Sequence, residues 1–347
     1  MRDIKMAEKK RFTEIDALRG IAAMVVVLYH YIVFYDEKFG HLKENYIDIL
    51  SFGHYGVQLF FIISGFVIYM SVLKVKSTSD FLTKRAIRLY PTYIFAIIVT
   101  AFIVGLSSVD TLKTGVVDTF INMTMFQDFF GIKNVDGVYW SLRVELTFYL
   151  LMALLLIFNL QKRVMLFTGI WLGVSALIQI TNGIAGTETT ALLEKFSMSN
   201  YCQMFIIGIM FYYIWQHGNH LKYYLMIAAS LIYDFSFEGM TNGLFTVFFI
   251  FVFYLILNDK MQWLKSDTLV YLGALSFPLY LIHQNIGYVI IQKLESLGFL
   301  HEIFLVIPLG ISLVIAHLIL NYVEKPSHNV LFKLYKERQL AMPYISR

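Results

Sequence analysis

The sequence predicts an all-α polytopic membrane protein with about ten transmembrane helices. Composition carries the first half of that reading. The 347 residues are 58% hydrophobic and 15% charged, whereas soluble domains are about 25% charged and at most ~50% apolar. Apolar runs of about twenty residues recur, the length that crosses a hydrocarbon core. The third observation is the placement of Lys and Arg, which gather on alternate connections and so orient the chain.

Ten spans are expected at 15–35, 52–73, 89–106, 139–159, 163–182, 199–216, 221–235, 242–258, 268–292 and 302–322. With both ends cytoplasmic, the inner segments hold 20 Lys and Arg and the outer segments 6, the bias that topology rules require. Segment 115–130 is apolar but carries Asp118, Asn122, Gln127 and Asp128. An eleventh span there would carry the basic C-terminal segment outside, so it is expected as a lid or re-entrant piece. The predicted organisation is a cytoplasmic tail at 1–11, a membrane domain at 12–332 and a cytoplasmic tail at 333–347. The basic start before an apolar run resembles a signal peptide, but it lacks an Ala-x-Ala-like cleavage site and is read as a retained first helix.

Several classes are disfavoured. The net charge of +4 has no concentrated basic face, so no nucleic-acid partner is expected. The single cysteine, Cys202, can form no internal disulfide and reads as a packing residue. No repeat symmetry is visible, which argues against a transporter. No metal site is expected.

Ionisable groups inside a bilayer cost about 2.5–3.5 kcal/mol on insertion scales and default to functional candidates. The first span carries Asp16 and Arg19, three apart on one helix face. They form either a local salt bridge or a donor-side pair with Arg19 facing a cavity. His30 follows eleven residues after Arg19, roughly 16 Å along the helix. The second span contains Ser64-Gly65, suited to close helix packing or to the approach of a slim ligand. The loop before the third span contains Arg85 and Arg88 ahead of Pro91. They form a paired guanidinium site for phosphates, or simply mark the cytoplasmic side.

The fourth span opens Tyr139-Trp140-Ser141-Leu142-Arg143-Val144-Glu145, with Tyr149 beyond. Trp140 also suits an interfacial anchor. Glu145 lies roughly 9 Å below the outer end and His30 about 7–8 Å below it. Equal depth suits a general base and its orienting carboxylate, although Glu145 could instead pair with Arg143 or Arg19. The ninth span carries Tyr280 and His283, three apart.

Taken together these segments resemble the acyltransferase-3 family of integral membrane acyltransferases. The resemblance rests on D-x-L-R-G with R-x10-H (Asp16, Arg19, Gly20, His30), F-F-x-x-S-G-F (Phe60 to Phe66) and R-x-x-R before Pro91. It rests also on W-S-L-x-x-E-x-x-F-Y (Trp140 to Tyr149), S-x-x-x-Y-x-x-H (Ser276, Tyr280, His283) and Glu324-Lys-Pro326. The order and spacing together are specific, and they cover residues 12 to 332.

The resemblance implies transfer of an acyl group, usually acetyl, from cytoplasmic acyl-CoA to a hydroxyl of an extracytoplasmic acceptor. That acceptor is expected to be a surface glycan or glycolipid, and the site a bacterial cytoplasmic (inner) membrane. Acyl-CoA is a co-substrate, and no tightly bound cofactor is expected. His30 is then the general base and Glu145 its partner. Arg19, Arg85, Arg88, Ser64 and Gly65 form the donor side. Trp140, Ser141, Tyr149, Tyr280, His283 and Asp16 line the acceptor side or support the site. The rival readings are an exporter or flippase of a lipid-linked glycan and a non-catalytic scaffold of polysaccharide assembly.

Overall fold

The computed structural model describes residues 12–40 and 50–341, and these residues are predominantly helical, with no strand. The expected tail at 1–11 lies outside the described residues. Helix α1 (Thr13–Tyr29) runs through a π-turn (His30–Phe34) into α2 (Tyr35–Phe39). This rod ends at Gly40, whose φ of 71° suits glycine. Then follow α3 (Gly56–Val72), α4 (Thr78–Leu106), the short α5 (Val116–Asn122), α6 (Trp140–Ile157), α7 (Val164–Ala185) and α8 (Glu188–Ser197). The chain continues with α9 (Cys202–His217), α10 (Leu221–Phe237), α11 (Met240–Leu257), α12 (Asp267–Ser296), α13 (Val306–Ile319) and α14 (Lys325–Ala341).

Among the described residues, eight helical stretches are long and apolar enough to cross a membrane. Helices α9 and α10 have 16 and 17 residues and fall short of that length. Helix α9 is nonetheless the centre of the bundle. Every residue from Cys202 to Tyr212 is buried, as a helix that is apolar all round must be. Cys202 is fully buried within it, the packing residue expected. Segment 115–130 holds only α5 and a 3-10 turn at Gln127–Phe130. Seven helical residues extend about 10 Å and cannot span. The segment is fastened to α6 and α8 by Arg143, whose Nε lies 3.3 Å from the Asp128 carboxylate and whose Nη1 donates to the Lys195 carbonyl at 3.3 Å.

Two helices run well beyond the expected spans. Helix α4 begins at Thr78, capped by Ser77, whose hydroxyl accepts from the Asp80 amide at 3.1 Å. The expected loop carrying Arg85 and Arg88 is therefore helix. At the other end, a π-turn at Leu320–Glu324 joins α13 to α14, so the expected tail from 333 is helical to Ala341. Hydropathy marks where lipid ends, not where a helix ends. The polar extensions persist because they pack on each other: the Tyr335 hydroxyl donates to Asp80 at 2.8 Å, and Lys84 pairs with the same carboxylate at 2.8 Å.

Candidate active site

The site depends on two glycines. A Cβ on Gly20 would come within 2.5 Å of the Gly273 amide nitrogen, and one on Gly273 would overlap the Asp16 carbonyl. Backbones this close leave no room for side chains, so α1 and α12 touch at glycine. Each chain then runs ten residues to a histidine, and the histidines meet: His283 Nε2 lies 3.0 Å from His30 Nδ1. Contact at both places means that α1 and α12 run in the same direction, about 15 Å of parallel rise apart from contact to contact.

The backbone around each histidine is unusual. His30 opens the π-turn, where the Tyr35 amide donates to the His30 carbonyl. Such turns occur preferentially at functional sites. On α12 the turn carrying His283 is held by several other segments. Tyr31 donates to the His283 carbonyl at 2.8 Å and Tyr139 to the Leu281 carbonyl at 3.1 Å. Asp136, fully buried, accepts from the Asn285 amide at 3.0 Å. His283 Nδ1 lies 2.9 Å from the Tyr280 carbonyl and 3.1 Å from that of Leu279.

His30 lines a cavity of about 260 Å³ whose walls include Tyr29, Gln58, Trp140, Tyr201 and Gln284. The chamber shares Val57 and Tyr280 with a narrow neck lined by Arg19, Ser64, Ser141, Glu145 and Ser276. Ser141 and Tyr280 are joined across this neck by a 2.7 Å hydrogen bond. The neck in turn shares Arg19, Ser276 and Phe277 with a cavity of about 540 Å³ at the other end, where Asp16, Arg88, Lys325 and His328 face the space. A string of cavities thus runs the length of α1.

The structure separates groups that depth alone had put together. His30 is bonded to His283, not to Glu145. The Glu145 carboxylate accepts from Tyr149 at 2.5 Å and lines a small cavity with Arg19, Arg85 and Arg88. Tyr149, expected on the acceptor side, belongs to this group as well. Arg143, one candidate partner of Glu145, is engaged by Asp128. The two loop arginines both line this small cavity but differ beyond it. Arg85 donates to the Ser71 hydroxyl and lies 5.6 Å from the centres of both the Phe81 and Tyr149 rings. Arg88 is exposed and faces the large cavity. Ser64 lines the neck, whereas Gly65 serves packing, because a Cβ there would overlap the Phe205 carbonyl of α9. Trp140, Ser141 and Tyr280 are gathered at the chamber and neck, and Asp16 at the large cavity.

Tyr29, Gln58, Tyr201 and Gln284 in the chamber, and Lys325 and His328 at the opposite end, were not among the expected site residues. Lys325 and His328 had a visible signal: they stand three apart directly after Glu324, the spacing of one helix face.

The profile of the acyltransferase domain family, Acyl_transf_3, matches residues 12–323. Nodulation protein 10 of Rhizobium leguminosarum bv. viciae is 29% identical over 134 residues, covering 33% of this chain and 36% of that protein. The match therefore spans about a third of the curated relative's length. No solved structure matches. The family match takes in α1 with His30, the neck, and α12 with His283, and the chain belongs to the acyltransferase-3 family of membrane acyltransferases.

Proposed function

We propose that the protein moves an acyl group, acetyl in the first instance, from cytoplasmic acyl-CoA to a hydroxyl of an extracytoplasmic carbohydrate. The reading takes ten spans, both ends in the cytoplasm, and the inner membrane of a bacterium, where it would O-acetylate a surface polysaccharide or glycolipid of the cell envelope. One observation carries it: the string of adjoining cavities from the Arg88 end to His30. Arg88, with Lys325 and His328, would bind the phosphates of coenzyme A in the large cavity. The pantetheine arm would pass Ser64 and Ser276 through the neck, displacing the Ser141–Tyr280 contact. Arg19, Arg85, Glu145 and Tyr149, which line one small cavity, would shape the inner side of that passage. Trp140, Tyr29 and Tyr201 offer aromatic walls against which a sugar ring could stack.

At the chamber, His30 Nε2 would take the proton of the acceptor hydroxyl as its oxygen attacks the thioester carbonyl. The C–S bond breaks as the C–O bond forms, and His30 returns the proton to the departing coenzyme A thiolate. Purified protein in lipid should release free coenzyme A from acetyl-CoA only when a carbohydrate acceptor is supplied, with the acetyl group recovered on that acceptor by mass spectrometry. A glycan exporter or a scaffold would release none, and that result would end the reading.

The two arginines should respond differently. Arg88→Ala is expected to raise the acyl-CoA KM about 10- to 100-fold, the worth of one charge-assisted phosphate bond of about 1.5–3 kcal/mol. Its kcat should change little. Arg85→Ala should change the donor KM less, because its guanidinium is already held by Ser71 and two rings. Initial rates across acyl-CoA concentrations separate the two. An unchanged KM in Arg88→Ala would remove Arg88 from the donor site.

A further inference from the structure

We propose that His283 is a positioning residue that fixes the tautomer of His30, leaving His30 Nε2 unprotonated and ready to act as the base. The argument follows the direction of each hydrogen bond. His283 Nδ1 faces two carbonyl oxygens, at 2.9 and 3.1 Å. A carbonyl oxygen only accepts, so Nδ1 must carry a proton. A neutral imidazole has one N–H, so His283 Nε2 holds a lone pair. His30 Nδ1 stands 3.0 Å from that lone pair and must be the donor. The single proton of a neutral His30 is then on Nδ1, and its Nε2 is the free acceptor.

A doubly protonated His283 would reverse the chain, but its side chain is fully buried among membrane-spanning helices. Among the described residues no carboxylate is hydrogen-bonded to either ring, and an unpaired charge in such surroundings is costly. The neutral form therefore sets the direction. The turn that carries His283 is held rigidly enough to impose it. Tyr31 and Tyr139 donate to its backbone carbonyls, and Asp136 accepts from the amide two residues on. The device does the work of the third member of a catalytic triad without a carboxylate: backbone carbonyls orient one histidine, which orients the next. In the Ser-His-Asp triad, loss of tautomer control lowers kcat about 10⁴-fold.

This inference rests on the reading of His30 as the base, and the test separates the two. Protein with 15N-labelled histidine in lipid bilayers is studied by solid-state NMR without donor or acceptor. The His30 signals are identified by their loss in His30→Gln. The expected spectrum has His30 protonated at Nδ1 and bare at Nε2. A proton on Nε2 overturns the proposal, whatever the protein acylates. The second arm uses acyl-transfer kinetics. His283→Gln keeps an amide group as many bonds from Cα as Nε2, so its oxygen can accept from His30. His283→Asn puts its amide where Nδ1 stood, and His283→Leu offers no acceptor. His283→Gln should retain kcat within about tenfold, while His283→Asn and His283→Leu lose about 10²-fold or more. The acyl-CoA KM should stay within about twofold in all three, since no donor contact is lost. Equal kcat in His283→Gln and His283→Leu would assign His283 to packing. Full activity in His30→Ala would instead overturn the underlying mechanism, and the NMR result would still report the tautomer.

Discussion

His30→Ala is expected to lower acyl transfer by about 10²–10⁴-fold, the usual contribution of a general base, in a protein that remains folded. The fold should survive because His30 is only half-buried and faces a chamber rather than a packed core. Its removal also spares the glycine contact that joins α1 to α12 ten residues below. The loss should fall on kcat, with the acyl-CoA KM near its starting value, because the donor's phosphates are expected at the far end of the cavity string. Gel filtration and thermal melting in detergent check the fold, and coenzyme A release checks the rate. A variant that stays folded and turns over at the original rate would show that the proton leaves by another route.

Gly273→Val is expected to act on the fold itself. A Cβ at this position overlaps the backbone carbonyl of Asp16, which cannot rotate away as a flexible side chain could. Overpacking costs about 1–3 kcal/mol and occasionally more, and a branched side chain against backbone belongs at the upper end. Set against a total stability of about 5–15 kcal/mol, that is enough to lower the melting temperature and the yield of monodisperse protein. Whatever does fold should also lose activity, because helices forced apart at Gly273 no longer bring His283 to His30. Gly105→Ala is the control. Nothing lies within 4 Å of a Cβ there, so it should be neutral or gain the roughly 0.5–1 kcal/mol that alanine brings to a helix. Similar losses in both would mean that the α1–α12 crossing is not special.

Much of this arrangement was legible in the sequence. The long apolar stretches matched the expected spans at 52–73 and 139–159 to within about two residues. His30, Trp140, Ser141, Tyr280 and His283 were singled out from motifs; the first four line the chamber or its neck, and His283 is hydrogen-bonded to His30. What failed was azimuth. Counting residues along a helix gives depth in the membrane, and depth alone paired His30 with Glu145. Which side of a helix a residue occupies relative to its neighbours depends on how the bundle packs, and no residue count supplies it. The better pairing did leave a trace: spans 15–35 and 268–292 were both expected to run outward, each with a glycine ten residues before its histidine. Arg85 and Arg88 show the same limit from another side. Their spacing put them together, and they do line one small cavity, but Ser71, Phe81 and Tyr149 hold Arg85 while Arg88 alone also faces the large cavity.

The equal count of ten from Gly20 to His30 and from Gly273 to His283 makes the site a matter of phase. Each residue turns a helix by about 100°, so ten residues bring both side chains around by the same angle before they meet. One residue added to either helix between its glycine and its histidine would swing that imidazole about 100° out of alignment. The same addition to both would bring the rings back to a common angle, one step farther along. The histidines are therefore synchronised rather than individually aimed, and the timing is set where two bare backbones touch.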